Sequence, residues 1–321
     1  MATDPVLVAD IGGTNARFAL ARINDGDVIV DNVQKQHAVD FGSIRDAAGA
    51  YLESVAVNPS AACFAVAGPV TDDSIKFTNS PWALDIAFVK RALKLERLVV
   101  VNDFEALAHG VSSLGKPGDF SLIKPGKGDP RGPTLVFGPG TGLGQALIVP
   151  LADGRERIIP TEGGHVAFAP RTPDEIELMR FIARDHSRVS AERILSGPGL
   201  VNIYRALCSI AGTALVPRQA SEITEAATSR ECPIAVKAVD MFCASLGACA
   251  GDAVLATGAR GGVVLGGGIL PKIEKTFRNS KFIDRFLDKG RMRDFVEDVP
   301  IDLIVRDSAA LVGAAAFFKN T

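Results

Sequence analysis

The chain has 321 residues, 47% of them hydrophobic and 22% charged, so it carries ample material for a buried core and no stretch polar enough to stay disordered. That length exceeds one usual hydrophobic core; two domains are expected, with a single large α/β domain as the alternative. A net charge of -2 without any long Lys/Arg block excludes the electrostatic footprint of a nucleic-acid or anionic-membrane binder and leaves a small-molecule partner.

The first residues, MATDPVLVAD, lack a basic n-region and an extended apolar run, and read as a first strand, not a signal peptide. VLVADI, GGTN, ARFALARI, NDGD and VIVDNV then give three sequential strands joined by tight turns. Helical patterns at about 43–55 and 85–95 precede the apolar runs AACFAVAG and LERLVVVND, so strands begin to alternate with helices in a mixed α/β layer. From Thr134 the pattern restarts, with TLVFGPGTGLGQALIVP again placing a glycine turn between two apolar strands and RERIIP supplying a third. Helices are expected at 174–184, 199–210 and 233–257; Lys237, Asp240 and Asp252 make the last a buried core helix and not a membrane span. GGVVLGGG is a buried strand ending in glycines, and IDLIVRD with SAALVGAAAFFKN is a strand and helix returning to the first domain. The expected domains are 1–107 with 302–321, and 108–301.

Five cysteines, Cys63, Cys208, Cys232, Cys243 and Cys249, are scattered without a C-x-x-C pair, which predicts buried thiols in a reducing cytoplasm. In DIGGTNARFAL, Asp10 ends a strand and Gly12, Gly13 and Thr14 form a turn whose amides suit phosphate oxygens, glycine supplying positive φ and close approach. Asp10 also suits a hydrated Mg²⁺. The same residues make an ordinary Gly-Gly hairpin. No G-K-[ST] follows, so this is no Walker loop, and it opens a strand where a Rossmann turn opens a helix. FGPGTGLGQAL sets Gly138, Gly140, Gly142 and Gly144 around Thr141, and reads either as a hairpin turn or as a second polyphosphate grip. Gly266, Gly267 and Gly268 serve either strand packing or the approach of a flat adenine. Asn102 and Asp103, Glu162 and His165, and Glu192 are polar groups at strand ends or turns, the types that pair with sugar hydroxyls. Each has a structural alternative: Asp103 as a helix cap, Glu192 facing a helix amino terminus, His165 as a satisfied core imidazole.

Taken together, DIGGTNARFAL, VVNDFEA, FGPGTGLG, TEGGHVAFAP, SAERILSGPGLVNIYRA and VLGGGI resemble, in that order, the bacterial glucokinase family across the whole chain. The resemblance implies an α/β, two-domain, actin-like (ribonuclease H-like) sugar kinase fold with an interdomain active-site cleft. It implies ATP-dependent phosphorylation of glucose to glucose 6-phosphate in the cytoplasm, by a homodimer. It makes Asp103 the catalytic base, Asn102, Asp103, Glu162, His165 and Glu192 the sugar ligands, and the three glycine-rich segments the ATP loops. Related sugar kinases and repressors carry a cysteine-rich zinc motif after GGH; here VAFAPRTPDE follows His165, so no structural zinc is expected. Asp10 lies too near the start for a DNA-binding helix pair to precede it. The rival readings are a kinase for another hexose, a non-catalytic sensor on the same scaffold, and a filament-forming or chaperone relative that hydrolyses nucleotide without sugar.

Overall fold

The computed structural model describes residues 4–24, 27–68, 70, 74–76 and 82–319. The chain divides into two compact units, 1–119 with 306–321 and 120–305. The first division falls at 119, beyond position 107, because one helix runs unbroken through 107.

The first unit holds β1 (Val6–Ile11), β2 (Asn15–Asn24), β3 (Asp27–His37), α1 (Ile44–Val55), β4 (Ala61–Val66), β5 (Ser74–Lys76), β6 (Ala83–Asp85), α2 (Ile86–Ala92), β7 (Arg97–Asn102) and α3 (Asp103–Val111). Its main sheet has the order β3-β2-β1-β4-β7, with β1 antiparallel to β2 and parallel to β4. A five-stranded sheet of tight antiparallel turns followed by parallel crossovers is what the two kinds of sequence pattern predict: tight turns can join only antiparallel strands, and helical connections return parallel ones. Leu7, Ala9 and Ile11 of β1 are fully buried with Phe18, Phe64 and Tyr51 in the core of this unit.

The second unit holds β8 (Phe120–Lys124), β9 (Thr134–Pro139), β10 (Leu143–Pro150), β11 (Glu156–Thr161), α4 (Pro173–Ile182), α5 (Gly197–Ile210), α6 (Ala220–Thr228), α7 (Pro233–Thr257), β12 (Gly262–Leu265), α8 (Glu274–Arg278), α9 (Phe282–Leu287), α10 (Arg293–Glu297) and β13 (Ile301–Ile304). Its sheet order is β11-β10-β9-β12-β13-β8. Here too an antiparallel three-strand run, β9 to β11, meets a parallel strand, β12 beside β9. Among the described residues α7 is the one helix long and apolar enough to cross a bilayer, yet Ala235, Phe242, Leu246 and Val254 are fully buried inside this unit, as its interior charges predict for a core helix. Glycine ends it, with Gly258 in the left-handed conformation at φ 68°.

The chain then returns to the first unit as α11 (Ala309–Ala316), which packs on α3. Only small residues permit this approach: a Cβ on Gly313 would overlap the Ala106 carbonyl.

Candidate active site

In the first unit, the turn between β1 and β2 is closed by Gly12 N–H donating to Asn15 O at 3.0 Å, and Thr14 O accepts from Ala38 N–H at 2.9 Å. The expectation of positive φ is corrected for Gly12, which is not in the left-handed range, so close approach is the property a ligand would use there. A Cβ on Gly12 would meet Asn15 O at an ordinary 3.5 Å, so the fold itself leaves that position open. Asp10 pairs in register with Arg17 across β1 and β2. Burial pushes the Asp10 carboxyl up from its ordinary value, the Arg17 guanidinium opposes this, and Asp307 adds to it. Arg17 in turn grips Asp307, with Nη2 3.2 Å from its carboxylate and Nη1 2.9 Å from its carbonyl. Beside this cluster the buried Asn15 Oδ1 has no hydrogen-bond partner. Carboxylate and amide oxygens are the hard donors that a hydrated Mg²⁺ takes, so these residues fit that ion.

At the end of β7, Asn102 is the N-cap of α3; its Oδ1 accepts from Phe104 N–H at 2.9 Å and Glu105 N–H at 3.3 Å. This corrects the reading of Asp103 as the cap. Asp103 is the first helical residue, and its Oδ1 accepts from Phe104 N–H at 3.0 Å. Asn102 Nδ2 donates to Gly68 O at 3.1 Å, so its amide works mainly to fix the corner that presents Asp103. A carboxylate in the first turn of a helix also lies at the positive end of the peptide dipoles.

In the second unit the β9–β10 hairpin turns through Gly140–Gly142, with Gly140 N–H donating to Gly142 O at 2.8 Å. The third glycine cluster packs directly beneath it. Gly138 lies against the Gly266 carbonyl so closely that a Cβ would overlap it, and Gly267, at φ 89°, presses on the Pro139 carbonyl in the same way. Packing therefore accounts for Gly138 and Gly267, while Gly140, whose Cβ position is open, and Thr141 are left facing outward.

The same hairpin braces a cluster of the other three sugar-ligand candidates, Glu162, His165 and Glu192. Leu143 N–H, first residue of β10, donates to Glu192 Oε2 at 3.0 Å from the short turn Ala191–Arg193. Glu192 Oε1 lies 4.0 Å from His165 Nδ1, and His165 Nε2 lies 3.7 Å from Glu162 Oε2. The imidazole thus stands between two carboxylates, within Coulomb range of both and hydrogen-bonded to neither. With its side chain 58% exposed, His165 is no core histidine. Gly163 and Gly164 make this arrangement possible, since Cβ atoms there would overlap the Gln145 side chain and the Leu143 carbonyl respectively. A carboxylate–imidazole–carboxylate face of this kind offers carboxylate acceptors beside a ring N–H donor, the inventory that adjacent hydroxyl groups pair with.

A glucokinase family model matches residues 7–321. The chain belongs to the glucokinase family. It is 42% identical over 319 residues to a glucokinase of Xanthomonas euvesicatoria pv. vesicatoria, covering 98% of this chain and 94% of that protein. The crystal structure of a glucokinase from an Antarctic psychrotroph superposes with a TM-score of 0.85 at 36% identity, covering 99% of this chain and all of that one (100%). A glucokinase from Balamuthia mandrillaris, solved in complex with glucose, gives 0.83 at 25% identity over 98% of this chain and 93% of that one. The fold is accordingly the two-domain, actin-like sugar kinase fold that the motifs imply.

Sequence reasoning missed one part of this glucokinase-family site. A groove of about 510 Å³ opens beside Gly140 and Thr141, lined further by Gly197, Pro198, Val201, Asn202, Gln219, Ala220 and Ile269. Its floor is the start of α5, where Ser196 Oγ accepts from Gly199 N–H at 3.0 Å and Gly197 N–H donates to Gly140 O at 2.9 Å. The signal was present in SGPG, a serine cap with proline in the first turn, but a cap marks a helix start without showing that a groove begins there.

Proposed function

We propose that this chain transfers the terminal phosphoryl group of ATP to the 6-hydroxyl of glucose, giving glucose 6-phosphate and ADP, the first step of glycolysis. The observation that carries the reading is the Glu162–His165–Glu192 cluster, tied through Leu143 N–H to the hairpin that presents Gly140 and Thr141. One turn thereby couples hydroxyl recognition to a phosphate-sized glycine loop. Glucose bound to the Balamuthia mandrillaris relative supports the sugar assignment.

Asn102 shapes the corner, and Asp103 accepts a hydrogen bond from the 6-hydroxyl and takes its proton as oxygen attacks the terminal phosphorus; the bond to the bridging oxygen breaks and ADP leaves. Because this chemistry is mostly positioning and charge stabilisation, Asp103 needs no raised basicity; its negative charge orients the hydroxyl. The amides around Gly12–Thr14 and Gly140–Gly142 hold phosphate oxygens. The groove beside Thr141, with Val201, Ala220 and Ile269 on its walls, takes the flat base. Asp10 would hold a hydrated Mg²⁺, which would serve to spread the charge of the phosphates. Five free cysteines support a reducing cytoplasm, and the family resemblance supports a homodimer.

A coupled ADP-release assay across hexoses tests this. Glucose-dependent ADP formation is expected; preferential turnover of mannose, fructose or an N-acetylated hexosamine would reassign the sugar, and ADP release indifferent to sugar would refute the kinase.

A further inference from the structure

We propose that Asn202 selects the nucleobase, favouring a purine with an amino group at position 6 over one with an oxo group. The inference rests on the reading above that the groove beside Thr141 receives the base of a nucleoside triphosphate. No lining residue of that groove carries a charge, so discrimination between bases falls to its polar uncharged groups. Two of these, Asn202 and Gln219, bear amides long enough to meet a base edge. Gln219 is the N-cap of α6, and its backbone N–H donates to Glu222 Oε2, a bond that leaves the direction of its side-chain amide unset. Asn202, on the second turn of α5, is held differently: its Nδ2 donates to Arg193 O at 3.0 Å.

That one bond settles the amide's orientation, because a carbonyl partner requires the nitrogen on its side. Oδ1 and the second N–H of Nδ2 remain, an adjacent acceptor and donor. Adenine presents the matching pair, its 6-amino donor beside a ring-nitrogen acceptor, and asparagine reads this edge with two hydrogen bonds. Hypoxanthine and guanine present an oxo acceptor at position 6, which sets two oxygens against each other. Arg193 closes the turn that carries Glu192, so the residue that reads the base is braced by the same turn that supplies a sugar ligand.

The test is calorimetric titration of the whole chain with ADP and with IDP, which differ at position 6 and the adjoining ring nitrogen, alongside KM for ATP and ITP. A two-bond asparagine contact discriminates by about tenfold to a hundredfold, so wild type is expected to bind ADP more tightly than IDP by that factor. In Asn202→Leu the ratio is expected to collapse to within about threefold, chiefly through weaker ADP binding. Asn202→Asp removes both N–H groups, so it loses the bond to Arg193 O and the donor to the ring nitrogen, and its ADP-to-IDP ratio is expected to fall well below that of wild type; this variant, with the wild-type ratio, decides the matter if the leucine variant fails to fold. Equal affinity of wild type for ADP and IDP, or an unchanged ratio in folded Asn202→Leu, overturns the assignment. Binding of neither diphosphate to wild type removes the nucleotide reading itself, and this inference with it.

Discussion

Replacing Glu192 by glutamine separates recognition from architecture at one side chain. Its Oε2 accepts the Leu143 N–H at 3.0 Å, and its Oε1 faces His165 at 4.0 Å. In Glu192→Gln the amide oxygen keeps the Leu143 bond, which forces the NH2 group into the place of Oε1. An anionic acceptor becomes a neutral donor on the side assigned to sugar, while the backbone remains satisfied. A hydrogen bond to a charged group contributes about 1.5–3 kcal/mol, so KM for glucose is expected to rise about tenfold to a hundredfold. Thermal stability and ADP affinity without sugar are expected to stay near wild type. Glu192→Ala supplies the contrast: it also strips the Leu143 N–H of its partner, a cost of about 1–3 kcal/mol visible in urea unfolding. The measurement is the coupled ADP-release assay at saturating ATP over a glucose series. A folded Glu192→Gln enzyme with an unchanged glucose KM would refute the sugar assignment and leave Glu192 as a brace for the hairpin.

Asp103→Asn is expected to lower turnover at saturating glucose by at least about 10², with melting temperature preserved because Asn102 is the cap; parental turnover would send the base elsewhere. Gly12→Ala is expected to fold normally, its Cβ meeting only Asn15 O at 3.5 Å, yet to weaken ATP in calorimetry; unchanged ATP affinity would remove the first turn from the phosphate site. Arg285→Met is expected to destabilise the second unit by about 3–5 kcal/mol in urea, since it strands the Glu175 carboxylate, whose side chain is 3% exposed and 3.0 Å from Arg285. Burial pushes Glu175 up, but the Arg171 amide, the Arg285 guanidinium and the Thr172 amide outweigh it and hold it below the ordinary range. Its stabilising contribution is therefore present above the unfolded value of about 4.3 and lost as pH falls through the lower folded one, and unfolding followed by circular dichroism against pH should show that limb move to higher pH in Arg285→Met.

The elements legible in the sequence are those whose periodicity runs long enough to register. β1 to β3, the hairpin of β9 and β10, and α7 lie where alternation and turn residues put them. The helices α8, α9 and α10 span only five or six residues each, less than two turns, and leave no amphipathic stripe to read. In the site, the grouping of Glu162, His165 and Glu192 could not come from spacing, because it depends on Gly163 and Gly164 lying flat on β10, a contact between distant segments. Gly138 and Gly267 illustrate the converse: glycines in a ligand-like motif are required by strand-to-strand packing whether or not a ligand is present. Asn202 and Gln219 stayed invisible for a simpler reason, being ordinary helix residues until α5 and α6 bring them to one groove.

The first unit is encoded at both ends of the chain, with 120–305 inserted between its parts. During synthesis the inserted segment is complete before α11 leaves the ribosome, so the nascent first unit waits with the Ala106 and Gly110 side of α3 uncovered. The codons of α11 are consequently a checkpoint for the helix that opens with Asp103. A frameshift just ahead of α11, though remote in the message from the β1–β2 turn, would act on the cover of that helix as directly as a substitution within it.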